Sequence, residues 1–102
     1  MQVAQHIEML LKGAFQPTAL EIHDDSAKHA GHREVSASGQ SHFSVLIVSE
    51  QFAGLSPVKR HQEVYRILIP LINNPIHALA LKVYTPVEYA QTRVEEIILE
   101  EV

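Results

Sequence analysis

The apolar and polar positions of this chain alternate between helical and strand periods several times. Val3, Ile7, Leu10, Leu11 and Ala14 recur at helical steps and form one apolar stripe, closed by Gly13 and stopped before Pro17. Thr18 to His23 reads as a strand, with Leu20 and Ile22 on one side and Glu21 and His23 on the other. Residues 24–40, DDSAKHAGHREVSASGQ, hold almost no bulky apolar side chain and predict a long loop between two strands. Loops longer than about 12–15 residues are usually functional or disordered, and His29 and His32 favour function here. His42 to Ser49 is the strongest strand, and its apolar end predicts a central position in a sheet.

Phe52-Ala53-Gly54 then predicts a turn, and Ser56-Pro57 supplies an N-cap and a first-position proline for a second helix. Val58, His61, Tyr65, Leu68 and Ile72 would form its stripe, while Pro70 should kink or end it near Ile69. Asn73-Asn74-Pro75 makes a turn into a third strand, Ala78 to Tyr84, with Leu79, Leu81 and Val83 on one face. Thr85-Pro86-Val87-Glu88 is a capping box with proline at the first helical position. It opens a last helix from about residue 86 to about Glu101, with a partial stripe of Tyr89, Val94, Ile97 and Ile98 and an acidic end prone to fray. The order α-β-β-α-β-α predicts an α/β (α+β) domain spanning residues 1–102. Each element buries one apolar side if the helices pack on one face of a three-stranded sheet.

Charge and composition narrow the function classes. The 102 residues carry a net charge of −4, which argues against a chain whose main work is clamping phosphates. There is no Cys, so a disulfide scaffold, a zinc-thiolate site and a Cys nucleophile are excluded. Imidazole and carboxylate are the metal ligands that remain, and seven His make the imidazole supply large. No apolar run approaches the roughly 20 residues of a membrane span. The first residues already have helical spacing and lack the basic start of a secretory signal, so a cytoplasmic protein without membrane contact is expected.

Three ordered segments carry a resemblance. Ser41-His42-Phe43, Val45 and Ile47-Val48-Ser49 run into Phe52-x-Gly54; Arg60-His61-x-x-Val64-Tyr65 follows; Ile76-His77-Ala78-Leu79-Ala80-Leu81 leads to Tyr84-Thr85-Pro86. This set resembles the BolA family from about Ile7 to about Tyr89. The resemblance implies a fold like class II KH domains. It also implies a monothiol glutaredoxin as partner and a 2Fe–2S cluster bridging the two, with none expected in the isolated chain. In that family the histidine of the HALAL-type segment is a cluster ligand, which carries over to His77. The second ligand comes from the loop between the first two strands, either a histidine or a cysteine. With no Cys, this chain resembles the histidine subtype, with His29 the best match and His32 and His42 as alternatives. Imidazole in place of thiolate raises a cluster's potential and makes its retention depend on pH. A chain with no Cys needs its remaining ligands from a partner or from glutathione.

Other readings compete residue by residue. Without the resemblance, His77 is a polar residue at a strand start, and His29 and His32 are solvated loop residues. His61 lies on the expected apolar stripe, so a core or interface histidine is favoured over ligation. Lys59, Arg60 and His61 near Gly54 also form a small basic patch at a helix start, where anions are favoured. That patch supports an alternative function, DNA binding by a transcriptional regulator of stress response or cell morphology. Gly54-Leu55-Ser56-Pro57 offers one glycine and no true GxxG clamp. Asp24-Asp25 fits a turn entrance better than a metal or catalytic dyad. No catalytic constellation is visible, so an enzyme is not expected. The free protein is expected to be a monomer or a weak dimer.

Overall fold

The computed structural model describes residues 3–25, 42–72 and 76–92. Helix α1 is Val3–Phe15 and helix α2 is Pro57–Leu68, while β1 is Ala19–Asp24, β2 is His42–Val48 and β3 is Ala78–Tyr84. A third helix, α3, begins at residue 86 and is followed to residue 92. The sheet runs β1-β2-β3, antiparallel between β1 and β2 and parallel between β2 and β3. This is the expected α+β order with β2 in the centre. The parallel pair follows from the connection: a strand reached through a whole helix can return in the same direction.

The buried side chains explain why the layers stack. Phe43, Val45 and Ile47 leave β2 on one face and meet Ile7, Leu11 and Phe15 of α1 and Val64 and Leu68 of α2. Side chains of this size contribute roughly 1.5–3 kcal/mol each when fully buried. Both helices therefore cover one face of the sheet. Ser44, Leu46, Ala80 and Lys82 line the opposite face. The proline break is as expected: α2 stops at Leu68 and Pro70 sits in a 3-10 turn, Ile69–Leu71.

Two local expectations are corrected. Gly13 lies inside α1, which ends at Phe15 and is followed by Gln16 in the left-handed region at φ 48°, before Pro17 as expected. The Gln16 amide donates to the Lys12 carbonyl at 3.1 Å, the single bond of an αL cap. The turn at Phe52-Ala53-Gly54 forms as expected, closed by the Leu55 amide donating to the Phe52 carbonyl at 3.1 Å; a 3-10 helix, Glu50–Phe52, capped by Ser49, precedes it, and Phe52 is fully buried with its ring centroid 4.9 Å from that of Phe15. The apolar stripe of α2 is in another phase. Val58 is 66% exposed, and His61 and Tyr65 are exposed as well, while Val64 and Leu68 are buried and Ile67 packs against the core. Two stripes at steps of three and four share Leu68, and the one through Val64 is the one that packs in the core. His61 is consequently a surface histidine and not a core one.

Buried Ser49 joins two elements. Its Oγ donates to the Phe15 carbonyl at 2.7 Å and accepts from the Gln51 amide at 3.1 Å. One side chain thus satisfies the end of α1 and the start of the 3-10 turn.

Candidate functional site

The two ends of β3 are built differently, and the site residues expected from the sequence divide between them. At the N-terminal end, His42 pairs in register with Ala78, so parallel strands β2 and β3 start at the same edge of the sheet. His77 sits in the bend one residue before Ala78 and is exposed, whereas His42 is half-buried. Strand spacing puts the backbones of His42 and Ala78 about 4.8 Å apart. Antiparallel β1 ends at this edge too, with Asp24 paired to Phe43. A cavity of about 300 Å³ here is lined by Asp25, His42, Phe43, Ala78, Leu79 and Ala80. The Asp25 carboxylate accepts a hydrogen bond from the Ser44 hydroxyl.

His29 and His32 lie outside the described residues, but the two residues flanking their segment, Asp25 and His42, stand at this edge. His29 is four residues beyond Asp25 in the sequence, a chain reach of up to roughly 14 Å. The distance from the end of β1 across to β3 is two strand spacings, roughly 10 Å. A ligand from this segment and His77 are therefore compatible in length. Among the described residues no group of three or more His, Asp or Glu side chains stands together to hold a metal.

At the C-terminal end of β3, Arg60 organises everything within reach. Its guanidinium makes a two-pronged pair with Glu88 at 2.5 and 2.9 Å, and its Nε donates to the Leu55 carbonyl at 3.0 Å. Nη1 also lies 3.4 Å from the Val83 carbonyl, at the end of β3. The side chain of Arg60 is 12% exposed and that of Glu88 41%. Glu88 is at the same time the far half of the capping box. Its carboxylate accepts from the Thr85 amide at 3.0 Å, while its own amide donates to the Thr85 hydroxyl at 3.3 Å. The Arg60 hydrogen bonds, then the Thr85 amide, hold the Glu88 carboxyl down to about 2 from its ordinary 4.5. The Arg60 pKa is raised by the same pair.

Arg60 is turned inward, and most of its donors are used within the fold. Lys59 and His61 remain exposed on α2, and Gly54 holds φ 82° in the turn before it. Ser56 caps α2 as expected, its hydroxyl accepting from the Lys59 amide at 3.2 Å. Sequence reasoning found Glu88 through its capping box but not its partner, because 28 residues separate Arg60 from Glu88.

A family model described as BolA-like protein matches residues 11–88, more than three quarters of the chain. The chain belongs to the BolA family. It is 39% identical over 89 residues to the DNA-binding transcriptional regulator BolA of Escherichia coli, covering 87% of this chain and 81% of that one. Among solved structures, BolA1 from Arabidopsis thaliana superposes with a TM-score of 0.75 at 37% identity, over 83% of this chain and 93% of that chain. The BolA domain of SufE1 from the same plant gives 0.75 at 36% identity, over 86% and 96%. The mixed sheet and its helices are thus the BolA fold. No helix among the described residues is long and apolar enough to cross a membrane.

Proposed function

We propose that this BolA-family chain is a non-enzymatic binding module that partners a monothiol glutaredoxin and shares a 2Fe–2S cluster with it. It would act in iron–sulfur cluster trafficking or in iron and redox regulation, in the cytoplasm. His77 is one ligand, and a histidine of the segment after β1 is the second, His29 before His32 or His42. The observation that carries this reading is the parallel register at His42 and Ala78, which brings exposed His77 to the sheet edge where that segment begins and ends.

The chemistry of the donors agrees. A neutral imidazole ligates iron through one ring nitrogen, and iron–imidazole bonds shift a cluster's potential upward when bound. A chain without Cys offers too few soft ligands for a four-thiolate cluster, so thiolates would come from the partner side. The contribution of this chain is to present imidazoles on a rigid strand end, where their approach is set by the sheet.

A visible absorption and circular dichroism titration into a cluster-loaded monothiol glutaredoxin tests the proposal. The expected result is a new spectrum that saturates at one chain per glutaredoxin subunit. His77→Ala should leave folding intact and abolish or alter that spectrum; an unchanged spectrum removes His77 from the site.

A second reading has its own support. The Escherichia coli relative is named a DNA-binding transcriptional regulator, and Lys59 and His61 are exposed on α2 beside the Gly54 turn. Arg60 contributes little to such a surface, because its guanidinium is held by Glu88. Salt separates the two: phosphate contacts weaken steeply as ionic strength rises, whereas coordination to iron responds little.

A further inference from the structure

We propose that Tyr65 and Arg60 of α2 guard the free edge of β3, and that an unguarded edge pairs with the same edge of a second copy of this chain. The inference is independent of the cluster-sharing reading. Among the described residues β3 is an outer strand of the sheet, with β2 on one side. Backbone groups of a strand turn alternately to its two sides. The Tyr84 carbonyl accepts from the Ser49 amide, just past the end of β2, at 3.0 Å, so Tyr84 faces β2. Leu79, Leu81 and Val83 therefore turn their backbone groups to the outer side.

Two of those outward carbonyls are occupied from α2. The Tyr65 hydroxyl donates to the Leu79 carbonyl at 3.1 Å, and Arg60 Nη1 lies 3.4 Å from the Val83 carbonyl. Leu81, between them, lines a cavity of about 450 Å³ with Pro57, His61 and Lys82. No described strand pairs with it on that side. Arg60 is kept in place by its two-pronged pair with Glu88. Tyr65 is 38% exposed and is the more accessible of the two guards.

An outer strand is a template for another chain unless charge, proline, a bulge or a cover blunts it. The opposite outer strand, β1, carries two carboxylates in its six residues, Glu21 and Asp24. In β3, ALALKVY, Lys82 is the one charged residue and there is no proline. The strand is also self-complementary. Antiparallel pairing about Leu81 sets Leu79 opposite Val83 and Lys82 opposite exposed Ala80, so apolar residues meet and like charges do not. In that register the outward residues exchange hydrogen bonds, and the Leu79 and Val83 carbonyls are the acceptors at the two ends of the ladder. These are the carbonyls that Tyr65 and Arg60 hold.

Sedimentation equilibrium on the full chain tests the proposal, with EDTA present to exclude metal-bridged dimers. Tyr65→Ala should self-associate about tenfold more tightly than wild type, because each copy regains one free acceptor. Tyr65→Phe loses the hydroxyl and keeps the ring, and should fall between the two. In the Tyr65→Ala background, Ala80→Lys sets like charges opposite Lys82 and should return association to the wild-type level. Ala80→Glu should instead tighten it, in a manner weakened by salt. Equal association of wild type and Tyr65→Ala overturns the guard. Association that responds to neither Ala80 substitution belongs to another surface and overturns the proposal as well. Far-ultraviolet circular dichroism identifies a variant that has not folded. If Tyr65→Ala fails there, Tyr65→Phe carries the same comparison with the same Ala80 substitutions, and its equality with wild type is then the overturning result.

Discussion

The two ends of β3 carry similar polar residues and treat them in opposite ways. At the C-terminal end, Arg60 and Glu88 meet in a two-pronged pair that also draws in the Leu55 and Val83 carbonyls and the Thr85 amide. At the N-terminal end, His77 is exposed in a bend beside half-buried His42. A charged group that reaches several internal partners serves the fold, and its mutation should be felt as instability. The exposed His77 is not packed in the core, and its mutation should leave the fold nearly unchanged. The difference lies in the partners within reach more than in the residue type.

The contrast can be broken most forcefully at Arg60. Arg60→Ala removes a mostly buried guanidinium and leaves two backbone carbonyls and Glu88 without it, and should cost about 2–3 kcal/mol. The check is a lowered urea midpoint with an unchanged slope. The mixed-complex spectrum, recorded on folded protein, should stay as in wild type. If Arg60→Ala is as stable as wild type and loses DNA affinity instead, the inward assignment of Arg60 is wrong.

Acid should act on the same end to a smaller extent. The Glu88 carboxyl is depressed to about 2 in the fold against an ordinary 4.5. Its stabilising contribution is therefore complete above about pH 4.5 and is lost as pH falls towards 2. Because Glu88 is 41% exposed, solvent screening keeps the effect to about 1 kcal/mol or less. Comparison of wild type with Glu88→Gln by denaturation between pH 6 and 2 should show two curves that converge at the acid end. Parallel curves would mean that the ionised pair adds nothing.

His77→Ala should shift stability by no more than about 0.5 kcal/mol, the usual range for surface substitutions. That near-zero result, read against the loss at Arg60, sharpens the contrast. A large destabilisation would mean that His77 is part of the fold's own framework. Lys59→Gln should change least, with no loss of stability. If the chain binds DNA, the substitution should reduce the salt slope of binding by about one.

Much of the architecture was legible in local pattern. The three strands, the Ser56-Pro57 start of α2, its end before Pro70 and the Thr85–Glu88 capping box all depend on residues within a few positions of one another. For that reason propensity and capping rules reach them. Ordered motifs around Phe43, Gly54 and His77 likewise sufficed to indicate the family. Local pattern misled where two answers were locally equivalent. On α2 the stripe through Val58, His61 and Tyr65 has spacing as helical as the one through Val64, and α1 carried a glycine close to, but not at, its end.

The candidate site divides along the same line. The resemblance to the BolA family, and not residue chemistry by itself, pointed to His77 and to an imidazole from the segment after β1, while the missing cysteine turned attention to a partner's thiolates. The neighbourhood of His77 and His42 depends on strand register, the pairing of His42 with Ala78, 36 positions apart in sequence, which no local rule specifies. The withdrawal of Arg60 from the surface depends likewise on Glu88, brought back to α2 only after β3 has crossed the sheet. Periodicity sets which face of each element is apolar. The choice between equivalent faces, and of which polar groups meet, comes from burying those faces together in one core.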